Sequence, residues 1–201
     1  MNNSVKGRSG FSWFYGISRK DFGPGSWRVI WLLAPLLLIY LPGMMGKIPF
    51  SSREAAYTDL LISHYPNARF LKETLLNERI IPLWSPHLFS GYPFAADPLS
   101  GLWYPGGWPA LLLPLPAGLS ILLGLHLLAG GWGTYRLARR YRLSRAAAWF
   151  AGAAFLGMPK AAAHYGAGHI SLLYALSLTP WLILAVVSRW SWTIQAAILA
   201  L

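Results

Sequence analysis

Cysteine is missing from all 201 residues, which excludes disulfides, thiolate metal sites and a cysteine nucleophile. Carboxylates are scarce, six against 17 Lys and Arg, and charged residues make up only 11% of the chain. A soluble domain carries about 25%, so water is a poor solvent for most of this surface. A G-x-x-x-x-G-K-[ST] phosphate loop is also missing, which leaves a nucleotide-using enzyme without support. The net charge of +11 does not point to nucleic acid, because the basic residues flank uncharged apolar runs and form no stripe on a helix face.

What remains is apolar and aromatic. Hydrophobic residues account for 55% of the chain, and mean hydropathy is +0.42. The 11 Trp and 10 Tyr suit the headgroup boundary, with their apolar bodies inward and polar tips outward. Val29 to Gly46 are 18 residues without a charge. As a helix they reach about 27 Å, close to the hydrocarbon thickness of a bilayer. No A-x-A-like cleavage site follows, so the run reads as an uncleaved first span. The next uncharged run, Pro98 to Tyr135, has 38 residues, and its first half carries Pro98, Pro105, Pro109, Pro114 and Pro116. That half cannot be one regular helix. Residues 99–116 therefore read as short broken helices at or dipping into the interface, and 117–135 as the second span. A third span is expected over 146–163 and a fourth over 170–188. A fifth apolar run begins at Ser191 and reaches Leu201, so the chain reads as the N-terminal part of a longer protein whose further spans pack against these.

The short segment 136–145 holds Arg136, Arg139, Arg140, Arg142 and Arg145, a cytoplasmic signature. With residues 1–28 and Arg189 also inside, 11 of the 17 basic residues are cytoplasmic, and five of the six acids fall in the outer loop, 47–116. Residues 164–169 form a second, short outer loop. The expected fold class is all-α, a polytopic transmembrane bundle in the cell membrane with its N-terminus cytoplasmic. Within the loop, 53–64 and 67–80 read as two short helices broken at Pro66, the second with an apolar face of Phe70, Leu71, Leu75 and Leu76 that suits the interface.

The series Asp59-Leu60, Tyr65-Pro66, Pro82-Leu83-Trp84-Ser85-Pro86, Phe89-Ser90-Gly91-Tyr92-Pro93-Phe94, Asp97-Pro98 and Tyr104-Pro105 resembles the first outer loop of the YfhO-like family, bacterial multi-pass proteins related to the GT-C glycosyltransferases. The likeness continues through Leu125-His126-Leu127, the arginine cluster and Gly168-His169. Ser85, Leu99 and His64 depart from it, standing where Asn, Gln and Gln or a similar residue are usual. The resemblance implies a GT-C architecture with interfacial helices in the first outer loop. It also implies sugar transfer from a polyprenyl-phosphate donor to a cell-envelope acceptor, and an acidic catalytic group soon after the first span. Asp59 stands at that place.

An inverting transfer needs a carboxylate that takes a proton from the acceptor hydroxyl. Asp59 fits this role, and its alternative is a helix N-cap. Glu54 could share that role or hold a divalent metal with Asp59, although five residues apart they are poorly aligned on one helix face. Asp97, before Pro98, is either a second acid or a turn former. For the leaving phosphate, Arg69 and His64 lie near Asp59 in sequence, and the guanidinium fork suits phosphate oxygens. Arg69 could equally be a solvated helix-face residue or meet anionic lipid. His169 stands at the outer mouth of the fourth span as a further substrate contact. His126, inside the second span, suits a helix–helix hydrogen bond. His87 and His164 carry no argument beyond their type. Trp84, Trp103, Tyr104 and Trp108 read as interfacial anchors with the capacity to stack on a sugar. The rival function is a non-catalytic transporter or assembly factor for lipid-linked envelope material. It would place polar groups at the bilayer midplane on broken helices, and few stand within the apolar runs.

Overall fold

A computed structural model describes residues 28–40, 58–88 and 90–199. The segment before Arg28, expected to be cytoplasmic, the last third of the first expected span (41–46) and Glu54 lie outside them. Among the described residues the fold is helical with no strand, apart from one isolated bridge between Ser85 and Tyr92. Helix α1 (Val29–Leu33) tightens into a 3₁₀ helix at Ala34–Tyr40, where Pro35 removes a backbone donor. Helix α2 (Tyr65–Lys72) lies in the loop, followed by α3 (Leu115–Arg140), α4 (Arg145–Leu156), α5 (Pro159–Ala167), α6 (Ile170–Val187) and α7 (Trp192–Leu199).

Two helices, α3 with 26 residues and α6 with 18, are long and apolar enough to cross a membrane. α3 starts on Pro114 with a second proline in its first turn, where a missing N–H costs nothing, and ends on Arg139 and Arg140, which suit the negative end of its dipole. Ser144 caps α4 by accepting from Ala147 N–H at 3.1 Å. The run 146–163, expected as one span, instead folds as α4 and α5. Pro159 cannot continue α4, since its ring would collide with the carbonyl four residues back, and Gly157 closes the helix before it.

α3 and α6 run parallel. Tyr174 stacks on His126 with centroids 4.2 Å apart, Trp181 Nε1 donates to Ala129 O at 2.8 Å, and Arg140 Nη2 donates to Val187 O at 3.2 Å. The arginine cluster therefore gathers at one end of the bundle, where Arg136 lies over the rings of Trp132 and Trp181 at 5.6 and 6.0 Å. α4 returns along α3 and meets it at Gly131 and Gly152. A Cβ at Gly152 would lie 2.7 Å from Gly131 O, so glycine is what permits this close approach. Leu33, Leu127, Leu156 and Leu173 fill the core of this bundle.

The loop layer covers the other end. Its helix is continuous across Pro66: a wide π-helical segment, Leu60–His64, leads into α2, and a second, Glu73–Glu78, follows it. The expected break is absent because the wider π-helical turn Leu60–His64 ahead of α2 accommodates Pro66. The proline-rich stretch after it forms a 3₁₀ helix, Pro105–Leu112. Leu71, Phe94, Leu102 and Leu111 make a separate small core beneath it.

Candidate functional site

The first described residues after the apolar N-terminal run, Thr58 to Leu60, land against the turn that joins α5 to α6. Gly168 makes this contact possible: its φ is +80°, and a Cβ there would lie 2.5 Å from Leu60 N and 3.1 Å from Thr58 Cβ. The consequence is that Asp59 and His169 meet, 110 residues apart in sequence. His169 Nε2 lies 3.2 Å from Asp59 Oδ2, with both side chains partly open to solvent at 38% and 55% exposure. Behind His169, His164 Nδ1 lies 3.0 Å from His169 Nδ1. Asp59 is not the helix cap, since its side chain makes no capping hydrogen bond. Thr58 takes that place, its hydroxyl accepting from Leu61 N–H at 3.4 Å and its carbonyl from Leu61 and Ile62.

His64, one turn further along, is buried. Burial holds its imidazole below the ordinary value, opposed by Asp59 and Asp97, which favour the cation, and reinforced by His169. These four groups therefore share one electrostatic neighbourhood. His64 also lines a cavity of about 260 Å³ between the loop layer and the bundle, together with Tyr104, Trp108, Leu119, Ser171 and Tyr174. No Asp, Glu, Lys or Arg lines it. Its floor is an aromatic stack: Tyr104 and Tyr174 lie 5.8 Å apart, and His126 packs on Tyr174. His126 Nδ1 donates to Leu122 O at 2.8 Å, so in the neutral ring Nε2 is bare and accepts from the Tyr104 hydroxyl. The partner of His126 is thus a loop residue. Burial raises the Tyr104 phenol above its ordinary value, which keeps it a donor.

Asp97 has a different environment. It accepts from Asn67 Nδ2 at 3.0 Å, from the Tyr92 hydroxyl at 3.3 Å and from Leu99 N–H at 2.8 Å. The single Tyr92 proton is shared with Asn67 Oδ1 at 3.2 Å. Three donors on one carboxylate pin the 92–99 turn to α2, and its bond to the backbone two residues on is the side-chain turn expected of Asp before Pro. Burial and the Asp97 charge both raise the Tyr92 phenol.

The structure does not bring Arg69 to this group. It is exposed and paired with Glu73 at 2.8 Å along the same helix. His87 packs edge-on against Phe70. Trp84 and Trp103 are exposed, at 58% and 68%, and Trp103 Nε1 bonds Ala95 O. No cluster of three or more His, Asp or Glu placed to hold a metal occurs among the described residues.

Sequence reasoning gave no role to His164, Asn67, Tyr92 or Tyr174. For His164 a signal existed in its spacing from Gly168-His169. For Asn67 and Tyr174 the partners are 25 or more residues away and nothing local marks them, while Tyr92 reaches Asp97 five residues on as well as the distant Asn67. The chain matches no protein-family model, no curated protein and no solved structure.

Proposed function

We propose that this chain is part of a polytopic GT-C-type membrane glycosyltransferase that moves a sugar from a polyprenyl-phosphate donor to a cell-envelope acceptor on the outer face, with Asp59 as general base. The observation that carries this reading is the Asp59–His169 contact, which joins the start of the loop helix to the mouth of α6. His169 occupies Oδ2 and leaves Oδ1 for the incoming hydroxyl. As the acceptor oxygen forms its bond to the anomeric carbon, its proton passes to Asp59 Oδ1. The bond from that carbon to the phosphate oxygen breaks, and the lipid phosphate leaves with its electron pair. The uncharged lining of the neighbouring cavity suits a sugar ring rather than a phosphate. Membrane lipids are the remaining partner.

The reading places the chain in the cell membrane with its N-terminus cytoplasmic. Its support is the separation of the arginine-rich end of the bundle from the loop layer. With no native cysteine to interfere, single cysteines at Leu112 and Leu143, both exposed, test the orientation. Leu112→Cys should label from outside and Leu143→Cys from inside; labelling from one side contradicts it. Activity is tested with the full protein in liposomes, offering polyprenyl-phosphate sugars and following release of the lipid phosphate. Asp59→Asn should slow transfer by about 10²–10⁴-fold and leave donor binding unchanged. Wild-type transfer by that variant would remove Asp59 from the chemistry.

A further inference from the structure

Helix α5 ends in a Schellman turn. Gly168 adopts the left-handed conformation at φ +80°, its N–H donates to Tyr165 O at 3.1 Å, and His169 N–H donates to His164 O at 3.0 Å. This motif sets the third residue from the helix end beside the second residue beyond it, and two apolar side chains usually meet there. Here the two positions hold His164 and His169, with ring centroids 5.2 Å apart.

The hydrogen positions follow from the partners. An ionised Asp59 can only accept, so the His169 nitrogen facing it, Nε2, carries a proton. Neutral His169 then has a bare Nδ1. The 3.0 Å approach of His164 Nδ1 is a hydrogen bond only if His164 supplies the proton. The chain of donors therefore runs from His164 Nδ1–H to His169 Nδ1, and from His169 Nε2–H to Asp59 Oδ2. Without a donor at position 164, Asp59 alone favours the Nε2–H form of His169, and the other tautomer gains population. That tautomer turns a lone pair toward the carboxylate and releases Asp59 from its orientation.

We propose that His164 is a positioning residue for Asp59, acting through His169: its Nδ1–H selects the His169 tautomer that holds the carboxylate. The proposal deepens the glycosyltransferase reading and rests on it for its kinetic consequence. The tautomer itself can be measured without any activity. Removing the hydrogen-bond partner of a metal-binding histidine costs about 10- to 100-fold, and a factor of that order is expected for the tautomer control here. His164→Phe should slow transfer by that factor, and His164→Asn, which keeps an N–H donor, should restore most of it.

The test uses the full-length protein in lipid nanodiscs with ¹⁵N-labelled histidine, at a pH well above the ordinary imidazole value of about 6.5. In wild type, the nitrogen shifts of His169 should report a proton fixed on Nε2. In His164→Phe they should report a mixture of both tautomers, and in His164→Asn the wild-type pattern should return. Thermal melting of all three confirms the fold. A wild-type proton on Nδ1, or an unchanged His169 tautomer in folded His164→Phe, overturns the proposal. Loss of transfer in Asp59→Asn with full transfer in His164→Phe overturns it too, while leaving the glycosyltransferase reading intact. The expected tautomer change in a protein that transfers no polyprenyl-phosphate sugar supports the positioning role of His164 and removes the glycosyltransferase reading instead.

Discussion

In the bundle, α3 and α4 touch through Gly131 and Gly152, and α3 and α6 through Ala129, Gly133 and Trp181, with leucines filling the space between. In the loop layer, by contrast, Asn67, Tyr92 and Asp97 tie the turn to α2 by hydrogen bonds, and Phe94 supplies a small core of its own. Backbone approach and side-chain volume hold the first region. Directed polar contacts between residues far apart in sequence hold the second. In the membrane setting proposed above, the difference follows from the surroundings of each region. A lipid-facing bundle gains little from burying apolar surface against more hydrocarbon and relies on close packing. A layer at the water boundary must satisfy the polar groups that irregular backbone leaves open.

That contrast predicts different sensitivities. The largest effect should come from volume added to the bundle. Gly152→Leu drives a side chain into the Gly131 carbonyl and should destabilise the protein by about 3 kcal/mol, read as unfolding in rising SDS. A wild-type midpoint would break the packing half of the comparison. In the loop layer the sensitive change is a lost donor. Asn67→Leu removes one of the three donors on Asp97 and should cost about 1–3 kcal/mol, seen as faster hydrogen exchange over residues 92–99 with the bundle unchanged. Exchange rising equally in both regions would show that they are one cooperative unit.

A smaller effect should come from pH. The buried His64 has a lowered pKa, so between that value and the ordinary imidazole value of about 6.5 the unfolded chain binds more protons than the folded one. Stability is therefore full above the ordinary value and falls as the pH drops through it. Thermal melts between pH 7.5 and 5.5 should show this decline, and His64→Gln should flatten it. An equal slope in the variant would assign the decline to other groups. The smallest effect belongs to Arg69→Ala. Its ion pair with Glu73 is solvent-exposed and screened, so the melt should not move measurably. A clear loss would mean that the exposed face of α2 carries more of the loop than its contacts indicate.

The same contrast explains which features could be read in advance. The uncharged run and its flanking charge placed α6 within a residue of its observed ends, because hydropathy along a single helix is local information, whereas α3 runs on to Arg140, five residues past the expected 135. The division of 146–163 into α4 and α5 was written in Gly157 and Pro159, but an unbroken apolar run concealed it. At Pro66 the opposite happened: a proline that usually ends a helix sits where the preceding π-helical turn accommodates it. Asp59 and His169 stood out through a family resemblance, yet their contact depends on Gly168 fitting against Leu60, which no local pattern encodes. His64 shares that neighbourhood, whereas Arg69, just as near in sequence, points its charge to Glu73 instead.

The central claim is that Asp59 and His169 act as one unit, and a kinetic double-mutant cycle tests it most directly. Asp59→Asn, His169→Gln and the double variant are compared by transfer rate from a polyprenyl-phosphate sugar in liposomes. Residues that act as a unit are strongly non-additive. Once Asp59 is lost, His169 has nothing left to hold, so the double variant should be no slower than Asp59→Asn alone. Two losses that multiply would show that the residues act independently, and that the 3.2 Å contact between them has no part in the reaction.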